Sequence, residues 1–155
     1  MMLTVSSDNL QSVVTRSLER MAFVICESTQ LTGGEVLALA NAHASIELRG
    51  KSNYIVTVSA TSGLIQEVAS GMMGCEPEEI DVEDHGRATV AELANIFAGE
   101  LVMQLASQDE GMLIGLPREL DDEEIGRFLD ATADSGHYTI QASELGQLMV
   151  CVIRD

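Results

Sequence analysis

Two alternating stretches on either side of a short turn constrain the fold of this chain more than any other feature. Residues 43–50 and 53–60 each alternate apolar with polar side chains. Successive side chains of a strand point to opposite faces, so this pattern predicts an antiparallel hairpin that buries one face. Residues 137–143 and 147–155 are expected to form a second hairpin near the C-terminus, with a turn near residues 144–146. We therefore expect a largely antiparallel sheet.

Three other stretches repeat their apolar residues at the spacing of an amphipathic helix. They cover residues 8–26, with Asp8 as the expected N-cap, residues 61–73 and residues 88–106. The last is the longest helical pattern in the chain. Each stretch should lay one apolar side on the sheet.

The remaining segments are less regular. Residues 35–42 fit either a strand or a short helix, residues 111–117 fit a strand that Pro117 ends, and residues 121–132 fit an acidic helix or a loop. Helices beside a largely antiparallel sheet indicate an α+β fold, in a single domain over residues 1–155. The order of helix and then strands in both halves suggests an internal duplication.

The charge of the chain excludes some partners. It has 8 Lys and Arg against 25 Asp and Glu, a formal net charge of -17, which repels nucleic acid and anionic membrane surfaces. Cys26, Cys75 and Cys151 form no CxxC pair, as expected for free thiols in a reducing compartment. The sequence starts without a secretory leader pattern, so we expect a cytoplasmic protein.

Aromatic residues make up only 3% of the chain, while Met occurs eight times. We therefore expect methionines to fill the core. The residues to which this expectation applies include Met72, Met73, Met103, Met112 and Met149.

The 88–106 helix carries a second set of residues at helical spacing, on a different side from its apolar ones. We call this set the exposed strip, and it comprises Ala88, Glu92, Asn95, Gly99 and Met103. A carboxylate and a carboxamide are neighbours there, with small residues beside them. Glycine inside a helix costs about 1 kcal/mol relative to alanine. The exposed strip has the outline of a surface that another protein could approach closely.

Structural explanations for the same residues remain open at this point. Thr89 and Glu92 fit a capping box, in which the Glu92 carboxylate binds its own backbone. Asn95 could simply be solvated, and Gly99 could serve helix packing.

Other polar clusters favour no chemistry of their own. His43, His85 and His137 lie on separate elements without metal-ligand spacing. The acidic connector, residues 76–84, lacks the spacing of an EF-hand, and no glycine-rich phosphate loop is present. No metal site is predicted.

The surroundings of the exposed strip resemble the CheC/CheX family of chemotaxis phosphatases, and CheX most closely. Residues 43–105 contain a hairpin, a helix ending in Met-Met-Gly, an acidic connector and a helix with Glu-x-x-Asn followed by a small residue. The final strands are also similar to those of the family. Such a CheC-like fold packs long helices on a largely antiparallel sheet.

The family pattern places Asp or Ser four residues before the Glu, and Pro about 22 residues after the Asn. Glu92 and Asn95 match this pattern, and Pro117 lies close to the expected distance. Ala88 stands at the Asp or Ser position and does not match. Residues 17–20 read Ser-Leu-Glu-Arg where some members carry a second Glu-x-x-Asn, so one site per chain is expected.

The resemblance implies that Glu92 and Asn95 act on a phosphorylated CheY-like receiver domain, with Ala88, Gly99 and Pro117 lining the contact. The receiver would supply Mg²⁺, so this chain would need no cofactor of its own. An alternative is a non-catalytic receiver-binding or scaffold module of the same fold. A homodimer is expected because family members pair through sheet edges, and because the apolar last strand would leave such an edge.

Overall fold

A computed structural model describes residues 6–105 and 111–154. The helices in this part of the chain are α1 (Ser7–Ala22), α2 (Gly33–Leu39), α3 (Ser62–Met73), α4 (Val82–Leu105) and α5 (Asp122–Ser135). A short 3₁₀ turn, Pro77–Glu79, lies between α3 and α4.

The strands described are β1 (Glu27–Ser28), β2 (Ala40–Arg49), β3 (Tyr54–Thr61), β4 (Leu113–Ile114), β5 (Arg118–Leu120), β6 (Gly136–Ala142) and β7 (Gln147–Arg154). They form one antiparallel sheet in the order β1-β6-β7-β3-β2-β4, and β5 also pairs with β2. The α+β fold with helices on a largely antiparallel sheet is confirmed, and both predicted hairpins are present.

One face of the sheet carries the main core. The residues of β2 and β3 that face this side include Ala44, Ile46, Val56 and Val58, and each is essentially inaccessible to solvent. Helices α1, α3 and α4 pack against them. Phe97 of α4 is among the largest fully buried side chains. The sheet and these helices therefore hold α4 in place along its apolar side.

The opposite face of the sheet is also covered. Met149 and Cys151 of β7 form a smaller apolar cluster with Val36 of α2, and Leu129 of α5 packs against it. Cys151 is buried, as its place in the strand predicts. Because both faces are covered, the central strand β7 is apolar on both sides over residues 148–153.

The predicted first helix was too long at its C-terminal end and had the wrong cap. Phe23 adopts a left-handed conformation with φ 59°, and its N–H bonds to the Glu19 carbonyl at 3.1 Å, which ends α1. At the other end the side chain of Ser6, and not Asp8, accepts a hydrogen bond from the Asn9 N–H at 3.1 Å.

The ambiguous segments resolve as follows. Residues 33–39 form α2 and the chain enters β2 at Ala40, so the predicted 35–42 segment contains both. The acidic segment after residue 121 is a helix. Residue 106, the predicted end of the long helix, and residue 155, the predicted end of the last strand, lie outside the described residues.

Two sequence-based expectations about apolar residues were wrong. Met72, Met73 and Met103 are exposed, whereas Met112 and Met149 are buried. The last strand, β7, is not a sheet edge, because β6 and β3 pair with it on either side. Its apolar composition therefore reflects a central position, and the argument for a dimer through this strand fails. No helix in the described ranges has the length and apolarity needed to cross a bilayer.

Candidate functional site

Helix α4 begins at Val82, well before the predicted residue 88. Asp81 caps it: its carboxylate accepts the Glu83 N–H at 3.0 Å, and its carbonyl accepts the His85 N–H at 2.9 Å. Glu83 and Asp84 place negative charge in the first turn, where the helix dipole favours it. Thr89 lies inside the helix, so the capping-box explanation for Glu92 is wrong.

The exposed strip lies along α4 on the side away from the core. At about 100° per residue, its five positions fall within an arc of about 80°. Ala88, Glu92 and Asn95 are exposed, Gly99 is half-buried and Met103 is 74% exposed. The buried residues of α4 include Val90, Leu93, Ala94, Phe97, Ala98 and Leu101.

Glu92 and Asn95 have no hydrogen-bond or ion-pair partner within residues 6–105 and 111–154. The carboxylate is not folded back onto the backbone, and the carboxamide is not buried. Together they present three acceptor oxygens and one amide NH₂ donor to solvent. Both groups can bind an external partner without first breaking an internal contact.

Gly99 has no packing role within the described ranges. A Cβ built on Gly99 would meet no atom within 4 Å, whereas one on Gly71 would lie 1.8 Å from the Ala22 carbonyl oxygen. Gly71 is therefore required for the close approach of α3 to α1, and Gly99 is not required in this way. The explanation that Gly99 serves helix packing is wrong for this part of the chain.

Ion pairs flank α4 at two positions. Arg20 of α1 binds Glu100, and Arg87 lies 3.9 Å from Glu119 of β5. These pairs tie α4 to its neighbours on the sides of the exposed strip. Neither pair was predicted, because each joins residues that are far apart in the sequence.

Pro117 lies in the exposed connection between β4 and β5. It does not end the strand region as predicted, because pairing with β2 resumes at Arg118, opposite Ser45. Glu119 follows and faces Arg87 of α4. The fold thus brings the Pro117 connection to the sheet edge beside α4. The role of Pro117 in binding stays a prediction.

A second polar constellation lies on the opposite face of the sheet. The His43 ring bonds the Ser59 hydroxyl through Nδ1 at 2.8 Å and the Asp122 carboxylate through Nε2 at 2.9 Å. His43 and Ser59 are cross-strand partners, so the hairpin register could have revealed this pair. Ser59 is 2% exposed and His43 3%. A substrate therefore cannot reach the hydroxyl, and the arrangement is structural.

Within the described ranges, no three His, Cys, Asp or Glu side chains converge into a set that could hold a metal ion. Burial, and next the negative charge of Glu67, raise the pKa of the Cys26 thiol to about 11. Such a thiol is protonated at neutral pH and is a poor nucleophile. Among the described residues, neither a cluster of metal-ligand type nor the Cys26 thiol therefore forms a candidate catalytic centre.

The chain is similar to one protein family and to several solved structures. A model of the family described as "Chemotaxis phosphatase CheX" matches residues 42–141. No curated protein sequence matches the chain. Among solved structures, a CheC-like superfamily protein from Shewanella sp. PV-4 has a TM-score of 0.69 at 18% identity and covers 99% of both chains.

Two further structures are similar along most of the chain. Chemotaxis protein CheX from Vibrio vulnificus has a TM-score of 0.67 at 15% identity, covering 98% of this chain and 100% of that one. The CheX-CheY-BeF3-Mg+2 complex from Borrelia burgdorferi has a TM-score of 0.63 at 17% identity, covering 94% of each chain. At these identities the structures show the fold alone.

Proposed function

Because the chain belongs to the family of the chemotaxis phosphatase CheX, we propose that it hydrolyses the aspartyl phosphate of a CheY-like receiver domain. The observation that carries this proposal is that Glu92 and Asn95 are exposed on one side of α4 and have no partner among the described residues. They match the two central residues of the family pattern. The similarity to a chain solved in complex with CheY supports the choice of partner.

In the proposed mechanism Glu92 sets the docking angle. Its carboxylate pairs with the lysine of the receiver site, a charge-assisted contact that has directional geometry. Within the part of the chain that the structure describes, no internal partner of Glu92 has to be displaced for this contact to form. Rigid docking converts the attack of water into a reaction within one complex, which lowers the barrier by several kcal/mol.

Asn95 acts on the attacking water. Its carboxamide enters the receiver site, donates one hydrogen bond and accepts another, and stays neutral at every relevant pH. It orients a water molecule in line with the phosphorus. The water oxygen bonds to phosphorus, the bond from phosphorus to the aspartyl oxygen breaks, and inorganic phosphate and the free aspartate are released.

This reaction requires no nucleophile or cofactor from the chain itself. Phosphoryl transfer depends mainly on positioning and on neutralising charge. The receiver contributes Mg²⁺ and its own carboxylates. The buried Ser59 hydroxyl and the protonated Cys26 thiol take no part.

One residue favours a second candidate function, a receiver-binding or scaffold module without turnover. Ala88 is exposed one turn before Glu92, at the position where the family pattern has Asp or Ser. A methyl group cannot hydrogen-bond to a receiver or to water. Docking through Glu92 would then persist while hydrolysis is slow.

We also propose that the chain forms a homodimer in the cytoplasm and binds neither nucleic acid nor membrane. One described sheet edge that could pair is at β4, where Leu113 is 69% and Ile114 40% exposed. The net charge of -17 opposes binding to polyanions.

The test is to mix the protein with each phosphorylated receiver of its own organism and to follow phosphate loss. Faster loss with wild type, abolished in Asn95→Ala but retained in Asn9→Ala, supports the phosphatase. Asn9 is a matched control, because it is an exposed asparagine on α1. No acceleration with any receiver contradicts the phosphatase.

Binding measurements separate the two candidates. Binding of a phosphorylation mimic without turnover selects the scaffold module. In that case Ala88→Ser is expected to restore measurable hydrolysis, because it returns a hydroxyl to the family position. Absence of binding by every receiver contradicts both candidates.

A further inference from the structure

The exposed strip continues beyond the Glu92–Asn95 pair. Met103 lies two turns after Asn95 on the same side of α4, and its side chain is 74% exposed. Between them Gly99 leaves the helix surface open, because nothing lies within 4 Å of the position of a Cβ. The helix surface at Gly99 therefore carries no side chain, and it lies between the Asn95 carboxamide and the projecting apolar side chain of Met103. We call this gap the Gly99 notch.

Neither feature contributes to the stability of the fold. An exposed methionine buries little apolar surface, and a helical glycine without a close contact costs about 1 kcal/mol relative to alanine. Isolated apolar residues on a surface are common. Here, however, the methionine, the glycine and two free polar groups share one side of one helix, which points to a common use.

We infer that Met103 is a specificity-determining contact for the receiver, and that Gly99 lets the receiver come close enough to reach it. This inference rests on the proposed function and extends its site by one residue. The occupant is the same receiver, which would present an apolar surface beside its phosphorylation site. Methionine suits this contact because its flexible, polarisable side chain adapts to surfaces of different shape.

The distances fit a single interface. Met103 follows Asn95 by eight positions along the helix, which is a rise of about 12 Å. A standard interface buries roughly 800 Å² on each partner, which corresponds to a patch roughly 30 Å across. A receiver that accepts the Asn95 side chain would therefore also cover Met103.

The charge of the protein favours an apolar contact in this interface. The chain carries a net charge of -17, and a phosphorylated receiver site is rich in carboxylate and phosphate oxygens. Long-range electrostatics thus oppose association. Short-range burial of an apolar side chain is insensitive to this repulsion and adds affinity where the surfaces touch.

The test compares Met103→Gln with Met73→Gln in steady-state hydrolysis of a phosphorylated receiver. Met73 is a matched control, because it is an exposed methionine (61%) on a different helix, α3. Met103→Gln is expected to raise KM at least about fivefold, in the range of a significant interface residue, with kcat unchanged. Met103→Leu should restore KM, and Met73→Gln should leave both constants at wild-type values.

The outcomes distinguish this inference from the proposed function. If Asn95→Ala abolishes turnover while Met103→Gln keeps the wild-type KM, the phosphatase stands and the inference about Met103 is overturned. If wild type shows no turnover, the same variants are compared by receiver binding. Weaker binding by Met103→Gln alone then supports the inference, and unchanged or undetectable binding overturns it.

Discussion

Glu92 and Asn95 lie three residues apart on the exposed side of α4, and neither makes a hydrogen bond or ion pair within the described ranges. The Arg20–Glu100 pair on the flank of the same helix shows the opposite behaviour, since its charges neutralise each other across two helices. Glu92 and Asn95 are therefore available to a partner, whereas Glu100 is already engaged by Arg20.

Removing the charge of Glu92 should weaken binding without affecting folding. We expect Glu92→Gln to raise the Kd for a receiver and to reduce the dependence of binding on salt, because a charge pair with the receiver lysine is lost. The free energy of unfolding should change by less than about 0.5 kcal/mol, as for most surface substitutions. Affinity at two ionic strengths and urea unfolding measure these effects.

Glu78→Gln is the control for this change, because Glu78 is exposed in the turn before α4 and also carries one negative charge. It should leave receiver binding almost unchanged. Equal effects of the two substitutions on Kd would show that net charge, and not the position of Glu92, determines binding.

A larger side chain at Gly99 should stabilise the protein and at the same time weaken its binding to the receiver. Gly99→Ala is expected to raise the free energy of unfolding by about 1 kcal/mol, because alanine is the better helix former and nothing obstructs its Cβ. Gly126→Ala in α5 should stabilise to a similar extent, since its Cβ position is also open. Urea unfolding and receiver binding of both variants are the measurements.

The two glycine variants should differ in binding alone. Gly99→Ala is expected to lower receiver affinity, while Gly126→Ala retains it. Unchanged affinity in Gly99→Ala would mean that the glycine has no part in docking.

The buried His43 should matter for stability and not for hydrolysis. His43→Ala leaves the Ser59 hydroxyl without this partner and opens a cavity, which should cost about 2–4 kcal/mol. Asp122→Asn should cost less than about 1 kcal/mol, because the Asp122 side chain is 95% exposed. Equal losses of unfolding free energy in His43→Ala and Asp122→Asn would show that the buried His43 ring is no more important for stability than the exposed Asp122.

Cys26 should react slowly with alkylating agents in the folded protein. Its pKa is raised from the ordinary 9.0 to about 11 by burial and by Glu67, so at pH 8 almost no thiolate is present. Iodoacetamide labelling, located by peptide mass spectrometry, should be much faster at Cys26 in urea than in buffer. Rapid labelling of the folded protein at pH 8 would contradict the raised pKa.

The same shift predicts a dependence of stability on pH. The folded state holds the thiol proton more tightly than the unfolded chain, so the contribution is complete below about pH 9 and is lost as pH rises toward about 11. Wild type should therefore lose stability over this interval relative to Cys26→Ser, in urea unfolding measured at several pH values.

The parts of the fold that local patterns control could be predicted from the sequence. Alternation located β2 and β3, and helical spacing located the exposed strip, because residues three and four apart are neighbours in any helix. The start of α4 could not be predicted in this way. Gly86 interrupts the apolar pattern; it is buried, and a Cβ there would lie 3.2 Å from the Val82 side chain and 3.7 Å from the Ile65 side chain.

Long-range contacts determined the features that sequence reasoning missed or mistook. β5 was not predicted, since its three residues become a strand only by pairing with β2. Met103 was assigned to the core because the chain has few aromatic residues, although its helical spacing already placed it in the exposed strip. Asp122 reaches His43 only through the docking of α5, which follows from the tertiary fold.

One side of α4 packs on the sheet and the other side faces solvent. This division has a consequence for how such proteins diversify. Residues on the outer side can be exchanged during evolution without disturbing the interior, so a duplicated gene could acquire a different signalling partner through a few substitutions. Lineages with this architecture should then differ most where α4 faces solvent and least where it meets the strands.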